Sequence, residues 1–335
     1  MSAPYPWLAE AWNRLQQARV ADTLPHALLL RGRAGFGKRQ LAEALVASLL
    51  CATPARTGPN CGQCRGCALL AAGTHPDFRL VQPEDGAKSI AIDQIRALGD
   101  FFTLRPHYGS RKLALIAPAD TMNRAAANSL LKLLEEPPAG GMLILVADRA
   151  ERLPATIRSR CQSYALDRPD AVRLLGGEAG PALPFSAESL ARSGGSPLIA
   201  GKFEAPDLRG ATDALPALMA AVVAEVSSPL EAAARTVKLE LLVLIDQMLR
   251  ISHEILLVQI DAPLPLAEAG RVASRDLQRM ADGIDSARIA EFLQKALELK
   301  QLRLSASNAR EGDLIESLWF DWQRVGPLAR RQGED

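Results

Sequence analysis

Apolar residues in the first half of the chain alternate between short continuous runs and longer stretches with helical spacing. The runs are ALLL from Ala27, LALI from Leu113 and the segment Met142–Ala147, and such runs are typical of strands covered on both faces. After the first run, leucine recurs every four residues from Leu41 to Leu49, which predicts a helix. Strands that alternate with helices predict a doubly wound parallel sheet, and we expect residues 1–165 to form this α/β domain.

The remaining elements of this domain are less regular. The segment Phe78–Val81 alternates weakly, and Ile90–Phe102 has helical spacing. A helix rich in alanine and leucine is predicted for Asn123–Glu136, where Pro137 and Pro138 stop it.

Beyond Cys161 the strand-like runs disappear. We expect a small helical lid domain over residues 166–205, in which SGGSP interrupts the helical stretch Leu190–Ala200. The segment Phe203–Asp213 is charged and contains proline, which is typical of a linker. Residues 206–335 are expected to form an all-α collar domain. Its predicted helices are Leu215–Val226, Pro229–Leu257, Leu264–Gly283, Ser286–Leu304 and Leu314–Trp322.

Composition and charge exclude little. The 335 residues are 48% hydrophobic, which suits two or three globular domains. Lys and Arg number 39 against 38 acidic residues, so no general basic field indicates nucleic acid, and any DNA contact must be local. The N-terminus, MSAPYPWLAE, does not resemble a signal peptide, and no apolar run reaches the roughly eighteen residues of a membrane span. We therefore expect a cytoplasmic protein without membrane contact.

The octapeptide GRAGFGKR resembles a phosphate-binding loop. Its candidate cofactor-binding residues are Gly32, Gly35, Gly37 and Lys38, since backbone N–H groups and a helix N-terminus hold phosphate oxygens in such loops. The next position normally carries a Ser or Thr that binds Mg²⁺, but this chain has Arg39. A solvated lysine at a helix start is the other interpretation of Lys38.

A second position that supports the metal is also changed. The strand that ends at Ile116 is followed by Ala117 and Pro118, where ATPases of this type carry acidic residues. We therefore expect no Mg²⁺ site and no ATP hydrolysis by the chain alone, while ATP binding to the degenerate loop stays open. Nearby Asp120 is interpreted either as a displaced metal ligand or as the cap of a helix that begins near Met122.

Four of the five cysteines have the spacing of metal ligands. Cys51, Cys61, Cys64 and Cys67 form the pattern C-x9-C-x2-C-x2-C at 51–67, within the α/β domain. Four thiolates complete the closed shell of structural Zn²⁺ and leave no position for catalysis. Disulfides, an iron–sulfur cluster and incidental thiols remain as alternatives. The fifth, Cys161, is expected to be a small buried apolar residue.

Together these segments resemble one family, the delta-prime subunits of the bacterial DNA polymerase III clamp loader, which have an AAA+ fold. The resemblance covers residues 26–161 strongly and the C-terminal half weakly, through Asn308 and Leu314–Trp319. It rests on GRAGFGKR, the cysteine module, GTHPDF from Gly73, RKLALIAPADTMNRAAANSLLKLLEEPP from Arg111 and TIRSRC from Thr156. The motor subunit of the same loader shares the cysteine module and LLKLLEEPP. It differs in having Arg where this chain has Leu198, and in keeping the residues that support the metal, which this chain has lost.

The resemblance implies a non-hydrolysing stator, part of a DNA polymerase holoenzyme (a nucleotidyltransferase) that itself lacks the polymerase site. Its implied partners are the motor (gamma/tau) and delta subunits, the sliding clamp and, through the complex, primed DNA. Arg160 of the SRC motif is then similar to an arginine finger that acts on a neighbour's nucleotide. A surface arginine paired with a nearby carboxylate is the alternative for Arg160. Two other functions also stay open, an autonomous P-loop ATPase of the motor type and a zinc-dependent DNA-binding module.

Overall fold

The computed structural model describes residues 4–53, 60–167, 174, 185–262, 275–304 and 310–326. The chain forms two compact units. The first comprises Met1–Leu183 with Ser196–Ile199, and the second comprises Pro184–Gly195 with Ala200–Asp335. The division into three domains, with boundaries after 165 and 205, stays a prediction.

The first unit is built on a parallel sheet. Its strands are β1 (Ala27–Arg31), β2 (Phe78–Val81), β3 (Lys112–Ile116), β4 (Gly141–Ala147) and β5 (Gln162–Ala165). Their order is β2-β3-β4-β1-β5, and every neighbouring pair is parallel. The predicted parallel α/β fold is therefore confirmed. The short edge strand β5 was not predicted, because its sequence QSYA is half polar and three of its four residues are exposed.

Helices cover both faces of this sheet. A 3₁₀ turn at Pro6–Leu8 precedes α1 (Ala9–Val20), α2 (Lys38–Leu50), α3 (Arg65–Ala71), α4 (Ile92–Thr103), α5 (Arg124–Glu135) and α6 (Ala155–Arg160). Leu29 of β1 belongs to the core formed with α4, α5 and α6, whereas Leu28 and Leu30 belong to the core formed with α1 and α2. Successive strand residues thus face opposite layers, as a doubly wound sheet requires.

Local signals explain the ends of α5. The Asn123 side chain accepts a hydrogen bond from the Ala126 N–H at 2.8 Å, which satisfies a free donor at the helix start. Two prolines follow the helix, and they cannot continue it because proline has no N–H to donate. The predicted helix is confirmed, and its last residue is Glu135.

The second unit is helical in its described part. The helices after the sheet are α7 (Ala187–Arg192), α8 (Pro197–Ala200), α9 (Pro206–Asp213), α10 (Leu215–Val223), α11 (Pro229–Thr236), α12 (Leu241–Gln259), α13 (Arg275–Gly283), α14 (Ser286–Leu304) and α15 (Glu311–Gln323). Of these, α8 belongs to the first unit except for its last residue, and the others belong to the second. Residues 264–274 of one predicted helix lie outside the described residues, as does Asn308. Within the described ranges, no helix is both long and apolar enough to cross a bilayer.

Two sequence predictions for this unit are wrong. The predicted linker at Phe203–Asp213 is a 3₁₀ turn followed by α9. Pro206 was interpreted as a helix breaker, but it is the first residue of α9. Proline is tolerated there because it removes only an N–H that would be unpaired. The single helix predicted over Pro229–Leu257 is divided into α11 and α12.

A contact from a distant part of the chain explains this division. The N–H of Leu241, the first residue of α12, donates a hydrogen bond to the Glu311 carboxylate at 2.8 Å. Nearby, the indole N–H groups of the buried Trp319 and Trp322 donate to Thr236 Oγ1 and to the Met219 carbonyl, each at 2.9 Å. α15 therefore ties together helices that the sequence alone does not connect.

This contact makes a stability prediction. Glu311→Ala leaves the Leu241 N–H at the start of α12 without its carboxylate acceptor, and we expect a loss of about 1 kcal/mol in unfolding free energy. Chemical denaturation followed by circular dichroism measures the loss. The matched control is Glu316→Ala, which removes an exposed carboxylate on the same helix. Equal stability of the two variants would show that Glu311 does not cap α12.

Candidate functional site

The degenerate phosphate loop lies where three strand ends meet. It follows β1, while Ala117 follows β3 and Asp148 follows β4, at the carboxyl edge where parallel sheets bind ligands. A cavity of about 230 Å³ lies at this edge, and we call it the loop cavity. Its lining residues are Gly35, Gly37, Lys38, Arg39, Gln40, Ala117, Pro118, Val146, Asp148 and Leu198.

The loop glycines have backbone conformations that other residues rarely adopt. The φ angles of Gly35 and Gly37 are +77° and +88°. A Cβ on Gly35 would also lie 2.2 Å from Ser196 Oγ. Ser196 Oγ donates to the Ala34 carbonyl at 2.7 Å, and the Leu198 N–H donates to the Gly35 carbonyl at 3.2 Å. The chain's own segment 196–199 therefore packs on the phosphate loop.

Lys38 is buried and neutralised within the chain. Its side chain is 3% exposed, and its Nζ lies 2.6 Å from Asp148 Oδ1. The same Nζ donates to the Arg33 carbonyl at 2.6 Å. The interpretation of Lys38 as a solvated lysine is therefore wrong. The charge that would face a phosphate is already matched by a carboxylate.

A second carboxylate fixes the backbone at Asp148. Buried Asp120 accepts hydrogen bonds from the N–H groups of Asp148 at 3.1 Å and Arg149 at 3.3 Å. Asp120 is thus not a helix cap, since Asn123 caps α5, and it does not line the loop cavity. We did not identify Asp148 from the sequence, although its position directly after the apolar run of β4 was the available signal.

Arg39 holds the position of the missing hydroxyl, and its guanidinium is engaged elsewhere. Its Nε donates to Glu43 Oε1 at 2.9 Å, and a terminal nitrogen donates to Gln82 Oε1 at 3.1 Å. Among the described lining residues, Asp148 is the single carboxylate, and it is paired with Lys38. The cavity therefore lies beside a phosphate loop, but Lys38 and Arg39 are each already paired with a carboxylate of the same chain.

Arg160 lies apart from the lining of the loop cavity, at the last residue of α6. One terminal nitrogen donates to the Thr156 carbonyl at 3.1 Å, and the other lies 2.8 Å from Glu135 Oε1. The side chain is 37% exposed. The carboxylate pairing expected of a surface arginine is thus present, while the arginine-finger role stays a prediction.

The four clustered cysteines are close enough to share one metal ion. Their Sγ atoms all lie within 4.8 Å of one another, and none of the four forms a disulfide. Three of the S–S separations are 3.5, 3.9 and 3.9 Å. Zn–S bonds of about 2.3 Å in a tetrahedron place the sulfurs roughly 3.8 Å apart. The donor set therefore fits a tetrahedral metal.

The surroundings of these thiols favour thiolates at two positions. Backbone N–H groups donate to the sulfurs of Cys51, Cys61 and Cys64 at 3.3 to 3.4 Å. A hydrogen bond from the Thr53 side chain, with backbone donors, lowers the pKa of Cys61 to about 5. A backbone donor likewise lowers the pKa of Cys64, whereas burial raises that of Cys51 to about 11.

The fifth cysteine behaves as a core residue. Cys161 is 8% exposed and packs in the core shared by α4, α5 and α6. Burial raises the pKa of its thiol to about 11, so the thiol stays protonated at neutral pH. The prediction of a small buried residue is confirmed.

The family model and several curated proteins that match this chain are described as DNA polymerase III delta or delta' subunits. A family model described as DNA polymerase III, delta subunit, matches residues 7–170. The DNA polymerase III subunit delta' of Pseudomonas aeruginosa is 37% identical over 98% of this chain and 100% of its own length. The subunit delta' of Escherichia coli is 39% identical, but the match spans 49% of each chain. That of Bacillus subtilis is 43% identical over 42% of each.

Two solved structures also match over most of the chain. A DNA polymerase III gamma subunit-related protein from Thermotoga maritima is 19% identical, with a TM-score of 0.41, and the match covers 94% of this chain and 99% of that one. The clamp loader delta protein of Bacillus subtilis is 9% identical, with a TM-score of 0.35, and the match covers 93% and 99%.

The ion pair in the loop cavity makes a prediction about stability. Asp148→Asn leaves a buried ammonium without its counter-charge. Because Asp148 itself is 41% exposed and screened by solvent, we expect a loss of about 1–3 kcal/mol in unfolding free energy, less than for a fully buried pair. Lys38→Met keeps the apolar stem and removes the charge, so it should cost less. Urea denaturation of both variants and of the double variant measures the difference.

The control for this comparison is Asp93→Asn, which breaks an exposed ion pair with Arg96 and should change stability by less than about 0.5 kcal/mol. If Lys38→Met cost as much as Asp148→Asn, the loss would not come from an unpaired buried ammonium, and the prediction would be wrong.

Proposed function

The chain belongs to the family of DNA polymerase III delta' subunits, and from that membership we propose that it is a stationary clamp-loader subunit that does not hydrolyse ATP. The assignment to the family rests on the relative that matches nearly the whole chain. One observation carries the stationary role, the ion pair between the buried Lys38 and the partly exposed Asp148 in the loop cavity.

The chemistry of hydrolysis explains why this pair supports the proposal. P-loop enzymes use the loop lysine to hold the β- and γ-phosphates, and they use Mg²⁺, held by a hydroxyl and a carboxylate, to neutralise the developing charge. Here the Lys38 ammonium is paired, Arg39 replaces the hydroxyl, and Ala117 and Pro118 follow β3. A phosphate of ATP would have to compete with Asp148 for the ammonium, and the site would still lack these metal ligands.

The proposed contribution of the chain to hydrolysis is made in trans. Arg160 is more than a third exposed, and its two described contacts use two of the five N–H donors of a guanidinium. The remaining donors suit a phosphate on a neighbouring subunit. Arginine fingers increase the rate of GTP hydrolysis by about 10³–10⁵. The proposed partners are motor (gamma/tau) and delta subunits, the sliding clamp and, through the complex, primed DNA.

We propose that the metal held by the four clustered cysteines is structural Zn²⁺. Four thiolate donors fill a tetrahedral shell and leave no site for water or substrate. The insertion between α2 and α3 is rich in glycine and proline and poor in apolar residues, so it has little core of its own. Metal-binding free energy, about 10–16 kcal/mol in zinc-finger peptides, would then fold this segment.

The zinc proposal predicts about one Zn²⁺ per chain, measured by atomic emission on protein purified without added metal. Cys64→Ser removes one ligand and should reduce the bound zinc to near zero and lower the melting temperature. Cys161→Ala, which changes the core cysteine, should keep the metal. Stoichiometric iron with the visible absorption of a cluster, or intact stability after chelation, would contradict the proposal.

The arginine-finger proposal is tested in the reconstituted loader. Arg160→Ala should reduce DNA-stimulated ATP hydrolysis by about tenfold or more, because the neighbour's transition state loses a cation. Arg158→Ala is the matched control, since it removes an exposed arginine from the same helix.

The isolated chain is the blank for this assay and should be inactive. Magnesium-dependent turnover by the pure chain would instead favour an autonomous ATPase. A full rate with Arg160→Ala would return this residue to a structural role. Strong, salt-sensitive DNA binding by the isolated chain would favour the nucleic-acid-binding alternative.

A further inference from the structure

Glu135 forms an ion pair with the Arg160 side chain. The two residues end different helices, α5 and α6, and their charged groups lie 2.8 Å apart. We propose that Glu135 is a positioning residue for Arg160, one that acts on the neighbour's nucleotide only through the guanidinium. This inference rests on the proposed arginine-finger function and adds a residue to it.

The placement of Glu135 is unfavourable without its partner. A carboxylate in the last turn of a helix is repelled by the negative end of the helix dipole, whereas a cation there is stabilised. Glu135 is the last residue of α5, and Arg160 is the last residue of α6. The guanidinium also bonds to the Thr156 carbonyl of its own helix. A carboxylate and a helix carbonyl thus hold one cation between two helix ends.

The pair is strong enough to limit the conformations of Arg160 but too weak to keep it from a phosphate. Glu135 and Arg160 are 50% and 37% exposed, and pairs this exposed shift an equilibrium by about two- to fivefold. A finger contact is worth about 10³–10⁵ in rate, so Glu135 is too weak to hold Arg160 away from a phosphate. It is strong enough to limit the conformations of the free Arg160 side chain. Less conformational entropy is then lost when the guanidinium contacts the neighbour's phosphate.

The adjacent residue provides a matched control. Glu136 has the same charge one position later, is exposed, and has no ion pair within the described part of the chain. A general effect of negative charge at this helix end would make the two glutamates equivalent. A positioning effect requires that only Glu135 matters.

The test is a double-mutant cycle in the reconstituted loader, with DNA-stimulated ATP hydrolysis as the measurement. Glu135→Gln should lower kcat by about two- to fivefold and leave the KM for ATP unchanged, because the carboxylate does not touch the nucleotide. Glu136→Gln should leave both unchanged. In the Arg160→Ala background, Glu135→Gln should have no further effect.

Each other outcome is decisive. A normal kcat for Glu135→Gln beside a slow Arg160→Ala loader overturns the positioning role and leaves the arginine finger in place. An equal loss from Glu135→Gln in both backgrounds shows a structural effect and also overturns it, as does a faster loader. A normal rate for Arg160→Ala overturns the proposed function itself and the inference with it.

Discussion

The buried ammonium of Lys38 is the constraint around which the first unit is organised. A lysine that is 3% exposed needs a counter-charge, because an unpaired charge in the protein interior costs several kcal/mol. Asp148 supplies it from the end of β4, and Asp120 holds the backbone of Asp148 from the turn after β3. The loop after β1 and the ends of two neighbouring strands are thereby joined at one edge of the sheet.

This arrangement keeps the backbone of a phosphate loop while its lysine is paired with a carboxylate of the same chain. The glycines still have the left-handed conformations of a phosphate cradle, and segment 196–199 packs against them. The chemical group proposed to act on nucleotide is Arg160, which lies outside the loop cavity. The loop cavity and the proposed finger are therefore separate features of the first unit.

Long-range hydrogen bonds connect the helices of the second unit around its apolar core. Each of the two buried indoles of α15 has an acceptor on another helix, and Glu311 accepts the first N–H of α12. Such buried donors need partners, since an unmet hydrogen bond costs about 1–3 kcal/mol. The order of the helices in this unit is therefore set by both packing and hydrogen bonding.

The elements whose signals are local could be predicted from the sequence. The apolar runs of β1, β3 and β4, the leucine spacing of α2 and the prolines after α5 all act within a few residues, so periodicity was enough. The cysteine spacing likewise predicted that four thiols lie together, because short steps along the chain keep them close in space. The edge strand β5 had no such signal, because it is mostly exposed and is held by pairing with β1. The division between α11 and α12 had none either, because it depends on a carboxylate 70 positions away.

The same limit applies to the candidate site. Motif spacing identified Lys38, because a loop is a local feature, whereas Arg160 was identified through the family resemblance that the motif TIRSRC helps to carry. The partners of these two residues, Asp148 and Glu135, are 110 and 25 positions away, and only the packing of strands and helices brings them within 3 Å. The charge at a site depends on distances in space, whereas a motif contains only distances along the chain. The tertiary structure therefore decided that Lys38 is paired with Asp148 and that Arg160 is paired with Glu135.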